Sequence, residues 1–500
     1  MNPDQREAVV SNAKYLRSVR PLDPEEIYEY VEGRPHPAAV KRVLEEQAPA
    51  LGLIERDDGT FVPVEEGPAS VAHHGVEAFP ERYARTLEDL LVDRFGAGWP
   101  TGTGGDRLRH RIRTLKEAYL HGDAVEYDDL TALAYAVYHL PDYYATTQYV
   151  LADLARDGLL PMHLRVLDVG AGVGGPALGL ADLLPEDALV EYHAVEPGAA
   201  ADVLARMVAE TGRNVHPTIH RETAEGFDPT TLLDGTGGDG HGDGDDGNHN
   251  GRNRDGGGND EAEAHGFDLL LFANVLSELD DPASVLLRYA EVLAEDGTAV
   301  ALAPADRNTA IGLRRVERAV ADDGPLTVYA PTVRLWPSAT PASDCWSFDV
   351  QPDLAVPGFQ KCLDEGGAGD GEFVNVDVQY AYSMLRRDGR RGIDVTLDPG
   401  RFARMADMET HVTNRIDLAA IKLSHDLADG EDANPLYLVG DGSEQVDHFA
   451  VCTEESALNA DLATADYGDL LVFENVLALW NDDERAYNLV VDGETVVDRG

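Results

Sequence analysis

Leu164-Arg165-Val166-Leu167-Asp168-Val169-Gly170-Ala171-Gly172-Val173-Gly174-Gly175 decides how the rest of this chain is read. An apolar run of strand character ends in a carboxylate, a glycine loop follows, and helix formers run from Pro176 to Leu184. That order places a helix N-terminus just beyond a strand end, with free backbone N–H groups and partial positive charge. Glycine lets a ligand approach the backbone where a Cβ would collide with it. The spacing predicts a seat for an adenine-type cofactor.

Gly170, Gly172 and Gly175 also satisfy the dinucleotide pattern G-x-G-x-x-G. Asp168 tilts the reading, because a carboxylate there can take the ammonium of S-adenosylmethionine (SAM) but would repel a pyrophosphate. Glu191 to Glu196 reads as the second strand, and Glu196 at its end can accept both ribose hydroxyls. The two passages resemble the first two motifs of class I SAM-dependent methyltransferases. SAM is the expected cofactor, held by Asp168, Gly170, Gly172, Gly174, Glu196 and, after a later strand, Asn274. A nicotinamide cofactor and a ligand-free turn are the alternatives.

Five hundred residues are too many for one core. The net charge of −52 comes from acids spread along the whole length, with five lysines against thirty-five arginines. Scattered acid fits a cytoplasmic protein of an extreme halophile, where salt screens self-repulsion; an acidic protein made for basic partners is the alternative. Cys345, Cys362 and Cys452 are widely spaced, which predicts no disulfides and a reducing compartment. No basic-then-apolar leader opens the chain and no run reaches membrane-spanning length, so no membrane partner is expected.

Residues 1–75 read as a winged-helix-like domain. Asp23 and Pro24 open its second helix, a third helix spans about His36 to Ala50, and two short strands follow around Asp58-Gly59. Nucleic-acid reading and protein docking both fit it. Residues 76–159 are helical in pattern and carry Arg107, Arg109, Arg111, Arg113 and Lys116, either a phosphate-contacting face or a face paired with acids. Arg386, Arg387, Arg390 and Arg391 form a second basic cluster with the same two readings. The α/β domain spans residues 160–393. It is interrupted at 234–265 by a Gly/Asp/Asn tract too poor in apolar residues to offset its ordering entropy, hence a disordered insertion. Residues 394–500 read as three strands, a helix and two strands, the outline of an OB-like β-barrel on which Phe449, Phe473, Trp480 and Tyr487 could stack bases or fill a core.

Four blocks carry a closer resemblance: His139-Leu140-Pro141-Asp142-Tyr143-Tyr144-Ala145, Phe272-Ala273-Asn274-Val275-Leu276-Ser277-Glu278-Leu279, Asp344-Cys345-Trp346-Ser347-Phe348, and Gly371 to Arg386. In this order they resemble the methyltransferase-like family associated with the small ribosomal subunit, best known from mitochondria, here in a haloarchaeal-type member. The resemblance covers about residues 130–390. It implies a class I methyltransferase fold and a role on small-subunit ribosomal RNA or the pre-ribosomal small subunit, as an enzyme or as a non-catalytic RNA-binding assembly factor that holds SAM structurally. Many relatives bind an iron–sulfur cluster through four cysteines. Only Cys345 matches a ligand, and Ala330-Pro331 and Trp336-Pro337 stand where Cys-Pro pairs are expected. One thiolate cannot hold a cluster, so no metal cluster is expected and Cys345 reads as a small buried side chain.

Cytosine-C5 chemistry needs a cysteine nucleophile, and none lies between Leu164 and Pro304. The Lys-Asp-Lys-Glu type of ribose methylation needs lysines, and none lies between Lys116 and Lys361. Asn274 and Glu278, just past the fourth strand, are the catalytic candidates; capping the next helix is their other reading.

Overall fold

The computed structural model describes residues 1–121, 125, 127–233, 266–430 and 433–500; the expected insertion at 234–265 lies outside them. The amino-terminal module is α1 (Pro3–Leu16), α2 (Pro24–Ile27), α3 (Pro37–Leu51), β1 (Leu53–Glu55) and β2 (Phe61–Pro63). Asp23 caps α2 by accepting from the Glu25 N–H at 2.8 Å, and Pro24 follows as expected. Val9, Ala13, Ile27, Val40, Leu44 and Phe61 form its core. The cations of α3 are spoken for, Lys41 by Glu55 and Arg42 by Glu46. The hairpin rests on the central sheet: Asn214 Oδ1 accepts from the Glu55 N–H at 2.8 Å, and Leu189 packs on Ile54 and Val62. This module docks within its own chain.

Three helices, α4 (Glu81–Phe95), α5 (Thr103–His121) and α6 (Asp129–Arg156), precede the central sheet. Then come β3 (His163–Val169), α7 (Gly175–Leu183), β4 (Leu189–Val195), α8 (Ala200–Val208), β5 (Val215–His220), β6 (Phe267–Ala273), α9 (Pro282–Ala290) and β7 (Leu293–Pro304). The domain ends with α10 (Arg307–Ala321), β8 (Thr327–Ala330), β9 (Asp349–Gln351), α11 (Gly358–Glu365) and β10 (Val378–Arg386). The sheet order is β5-β4-β3-β6-β7-β10-β8, with β9 paired to β10. Strands β3 to β7 run parallel and β10 runs against both β7 and β8. An open doubly wound sheet with one reversed strand near its edge agrees with the class I expectation. Leu164 and Val166 face one apolar layer, Leu167 and Val169 the other, so β3 is covered on both sides. Strand order reverses direction between β3 and β6, and the crevice at such a switch point is where ligands bind in open α/β sheets.

The carboxy-terminal domain is β11 (Arg415–Lys422), β12 (Leu436–Gly440), β13 (His448–Cys452), α12 (Asp461–Thr464), β14 (Leu470–Asn481), β15 (Ala486–Val491) and β16 (Val496–Arg499). Pairing runs β11-β12-β13-β15-β14 and closes through β11–β14, with β13 and β15 parallel. A closed five-strand barrel with a helix between its third and fourth strands has the OB outline. The terminal strand β16 pairs with β14, an addition that the sequence reading omits. One of the four expected stacking aromatics is withdrawn from solvent and another is half-buried against the α/β domain. Phe473 is fully buried in the barrel core, and Phe449 packs in a cluster with Val333, Leu335 and Trp336 of the α/β domain. Among the described residues no helix is long and apolar enough to cross a membrane.

Candidate active site

The three expected loop glycines all have positive φ, +70° at Gly170, +53° at Gly172 and +100° at Gly174, but they face different surroundings. A Cβ on Gly170 would lie 2.4 Å from Val275 Cγ2, so this glycine makes room for the segment after β6. A Cβ on Gly172 would meet only the Gly170 carbonyl at 3.9 Å, leaving open space above that backbone. Gly174 is buried, and a Cβ there would strike Leu204 Cδ1 of α8 at 2.8 Å; its task is helix packing and the turn. No side chain caps α7, whose first N–H groups stand at the loop.

Asp168 is fully buried in β3. Its Oδ2 accepts from the Tyr192 hydroxyl of β4 at 2.5 Å, while Oδ1 has no partner. Burial, with help from nearby Glu196, pushes its pKa up to about 7 despite the tyrosine. Glu196 stands one residue past β4 and accepts from the Gly172 N–H at 3.0 Å and the Gly198 N–H at 3.3 Å. Its pKa is also raised by burial. Among the described residues no arginine or lysine pairs with Asp168, Glu196 or Glu278. Asp168 and Glu196, two carboxylates without a counter-cation, the first with an orphaned buried oxygen, suit a cationic ligand.

Asn274 follows β6 with φ +62° and donates its N–H to Leu302 of β7, so its backbone fixes the turn at the crevice floor. Glu278 does not cap α9, a role taken by Asp281. It accepts from the Tyr127 hydroxyl at 3.0 Å and the Tyr119 hydroxyl at 3.4 Å, and those hydroxyls lie 2.6 Å apart. Glu278 is exposed to solvent, yet desolvation by the atoms packed around its carboxylate raises its pKa. His139 and Tyr143 belong to a block already singled out in the sequence, whereas Tyr119, Tyr127 and Tyr135 lie outside every motif. The i, i+4 spacing of Tyr135, His139 and Tyr143 is the signal that could have found Tyr135.

The basic helix is tied down rather than presented. Arg109 is buried and donates to the carbonyls of Pro100 and Leu363, Arg113 makes a two-point contact with Glu372, and Lys116 donates to the Glu372 carbonyl. In the second cluster Arg386 is buried on Asp388 and Thr298, while Arg387 and Arg391 donate to backbone carbonyls. Four of the five cations of the first segment, with Arg111 on Asp128, and three of the four of the second are thus held within the chain. Cys345 is buried with its thiol pKa pushed up to about 12, as a small interior side chain would be. Among the described residues no group of three or more His, Cys, Asp or Glu could hold a metal ion.

The amino-terminal and carboxy-terminal domains of a family of unknown function, DUF8157, match residues 6–57 and 406–500. No curated protein matches the chain. Among solved structures, the CurJ carbon methyltransferase is 14% identical, with 77% of this chain and 91% of that chain covered at a TM-score of 0.30. The O-methyltransferase NcsB1 of neocarzinostatin biosynthesis, in complex with SAM and 2-hydroxy-5-methyl naphthoic acid, is also 14% identical, covering 77% and 96% at 0.27. A proposed RNA methyltransferase from Pyrococcus horikoshii, PH1948, is 11% identical, covering 49% and 82% at 0.26. At such scores the fold reading rests on strand order and pairing.

Proposed function

We propose that the chain binds SAM in the crevice at the carboxyl ends of β3, β4 and β6 and transfers its methyl group to small-subunit ribosomal RNA. The observation that carries the cofactor is the orphaned Oδ1 of buried Asp168 beside open backbone at Gly172. An ammonium seated there would supply the missing partner and draw the carboxylate into its charged form. Glu196, at the end of the neighbouring strand, suits the ribose hydroxyls, since each of its oxygens accepts one backbone N–H and keeps a further acceptor site. Bound SAM would supply an electrophilic methyl on a cationic sulfur; the chain contributes position and charge.

The acceptor comes from the family resemblance. Two of its blocks border the crevice: His139 and Tyr143 on α6, and Asn274 to Glu278 after β6. The tying down of most of both basic segments counts against the non-catalytic RNA-binding assembly factor, which would use those cations to hold RNA. Calorimetry with SAM and with NAD in molar potassium chloride tests the cofactor: binding of SAM that vanishes in Asp168→Ala supports it, and preference for NAD overturns it. Labelled methyl transfer to immature small subunits separates enzyme from assembly factor.

A further inference from the structure

A row of aromatic rings runs beside the glycine loop, from Gly175 at the start of α7 to Gly198 and Glu278. His139 and Tyr143 stack with planes 12° apart and centroids 5.2 Å apart; Tyr135 leans on both at 4.9 and 5.9 Å. Tyr127 closes the row edge-on to Tyr135 at 5.9 Å. The wall is anchored at three points around the crevice. Tyr143 abuts Gly175 at the start of α7, where a Cβ would lie 2.8 Å from its own. The Tyr127 carbonyl lies 3.4 Å from where a Cβ of Gly198 would stand, beside Glu196. The Tyr119 and Tyr127 hydroxyls reach Glu278. Tyr119, Tyr127, His139 and Tyr143 all keep part of their surface in solvent, so the rings form a lining.

We infer that this wall receives a single unstacked nucleobase, held between aromatic rings with an amino N–H donated to Glu278. The inference rests on the proposed SAM site and names its acceptor atom. A flat ring fits a row of rings, and stacking on aromatic side chains is how single-stranded RNA is commonly held. An ionised carboxylate only accepts, so it can take the amino N–H of adenine, cytosine or guanine; uracil offers its ring N3–H alone and has no exocyclic amino nitrogen to receive the methyl. In the transfer, the amino nitrogen forms its bond to the methyl carbon while the carbon–sulfur bond breaks and its electron pair stays on sulfur. The displaced N–H proton goes to Glu278. Tyr119 and Tyr127 are positioning residues: their hydroxyls steady the carboxylate.

The test uses the full chain, unmodified small-subunit ribosomal RNA transcript and SAM labelled in its methyl group, with the product digested to nucleosides. Label is expected on the amino nitrogen of an adenine, cytosine or guanine. Glu278→Gln should cut transfer by ~100-fold or more, as loss of a general base does, with SAM binding by calorimetry retained. Tyr143→Leu should raise the KM for RNA about tenfold, the order of one lost stacking contact, and change kcat little. Tyr127→Phe, which removes a donor to the carboxylate and no volume, should move the acid limb of the rate profile to higher pH. Label on ribose, on uracil, on a ring carbon or on a protein lysine overturns the inference, as does an unimpaired Glu278→Gln or an unlabelled RNA while SAM binds. Failure of the unaltered chain to bind SAM overturns the cofactor reading instead.

Discussion

The crevice above β3 and the outer wall of the barrel are the two places where the sequence leads one to expect ligands, and the fold finishes them in opposite ways. In the crevice, Asp168 keeps an oxygen without a partner, and α7 begins uncapped. On the barrel, the loop after β12 is saturated: Asp441 accepts from Trp336 Nε1 at 2.8 Å, the Met405 N–H at 2.9 Å, and both the N–H and hydroxyl of Ser443. Leu438 and Phe449 are covered by Val333, Leu335 and Trp336. Buried polar groups are normally partnered; the orphaned atoms include His448 Nε2 in the barrel as well as Asp168 Oδ1, and what sets Asp168 apart is that its strand leads into the open backbone at Gly172. The barrel wall is a seam between domains; the crevice is where the ligand is proposed to sit.

The largest effect tests the interior of the α/β domain beside the seam. Arg314 is buried and donates to Glu317 Oε2 at 2.8 Å and to the Tyr382 carbonyl at 2.9 Å, and Glu317 also takes the hydroxyls of Ser383 and Thr332. Glu317→Ala leaves a buried guanidinium unpaired and should cost about 3–5 kcal/mol in equilibrium denaturation. A loss below about 1 kcal/mol, the scale of an exposed pair, would show that this network is not saturated as described.

Asp168→Asn is the matching test of the crevice, and its two readouts should move in opposite directions. SAM affinity should fall about 100-fold, roughly 2.7 kcal/mol. Stability of the ligand-free chain should rise at pH 8. The sign follows from the proton: folded Asp168 holds it to about pH 7, whereas an unfolded chain releases it near 4. Stability therefore drains away as pH climbs between those values, and asparagine, which has no proton to lose, removes a drain on the order of 2–4 kcal/mol. For the same reason SAM should bind the unaltered chain more tightly at pH 8 than at pH 6, since a cation prefers the ionised carboxylate. A variant that lowers affinity and stability together would make Asp168 a structural residue.

On the barrel, two aromatics divide the readings at smaller cost. Phe449→Ala should loosen domain docking by about 1–2 kcal/mol, less than the cost of truncating a fully buried phenylalanine. Trp480, 39% exposed with its Nε1 donating to Asp482, should cost under about 1 kcal/mol when truncated. Thermal unfolding measures both. RNA crosslinks that disappear in Trp480→Ala would return the barrel to the list of ligand surfaces.

The parts of this fold that sequence revealed are those whose cause is local. Asp23-Pro24 caps and starts a helix by itself, and the alternation at β11 to β15 announces strands whose ends fall within about two residues of the expected ones. The loop glycines were legible as a group, but their division of labour was not. Whether Gly172 opens a floor or Gly174 admits Leu204 depends on residues 30 positions away. The same distance hid β8, β9 and the reversed β10, whose pairing partners lie across the sheet. The tyrosine wall was invisible because Glu278 meets Tyr127 across 151 residues of chain. Composition misled only where charge was read without its partners, since a run of arginines looks alike whether it faces phosphate or Glu372.

That ambiguity gives the smallest and sharpest prediction. Arg113 meets Glu372 through Nε at 2.6 Å and Nη2 at 2.5 Å, and its ring neighbour is Phe373, 4.9 Å from the guanidinium carbon. Both side chains keep substantial solvent exposure, 49% and 33%, so the pair should contribute only about 0.5 kcal/mol. Arg113→Glu should lose somewhat more through like-charge repulsion, and adding Glu372→Arg should restore it, because the contact is the same with its charges exchanged. A phosphate-binding arginine behaves otherwise. Reversing its charge weakens RNA retention, the weakening is steepest at low salt, and no compensating change at Glu372 brings it back. Rescue of stability by the exchange, with RNA retention unmoved throughout, places α5 with the barrel wall among the seams and leaves the crevice as the face that meets the acceptor.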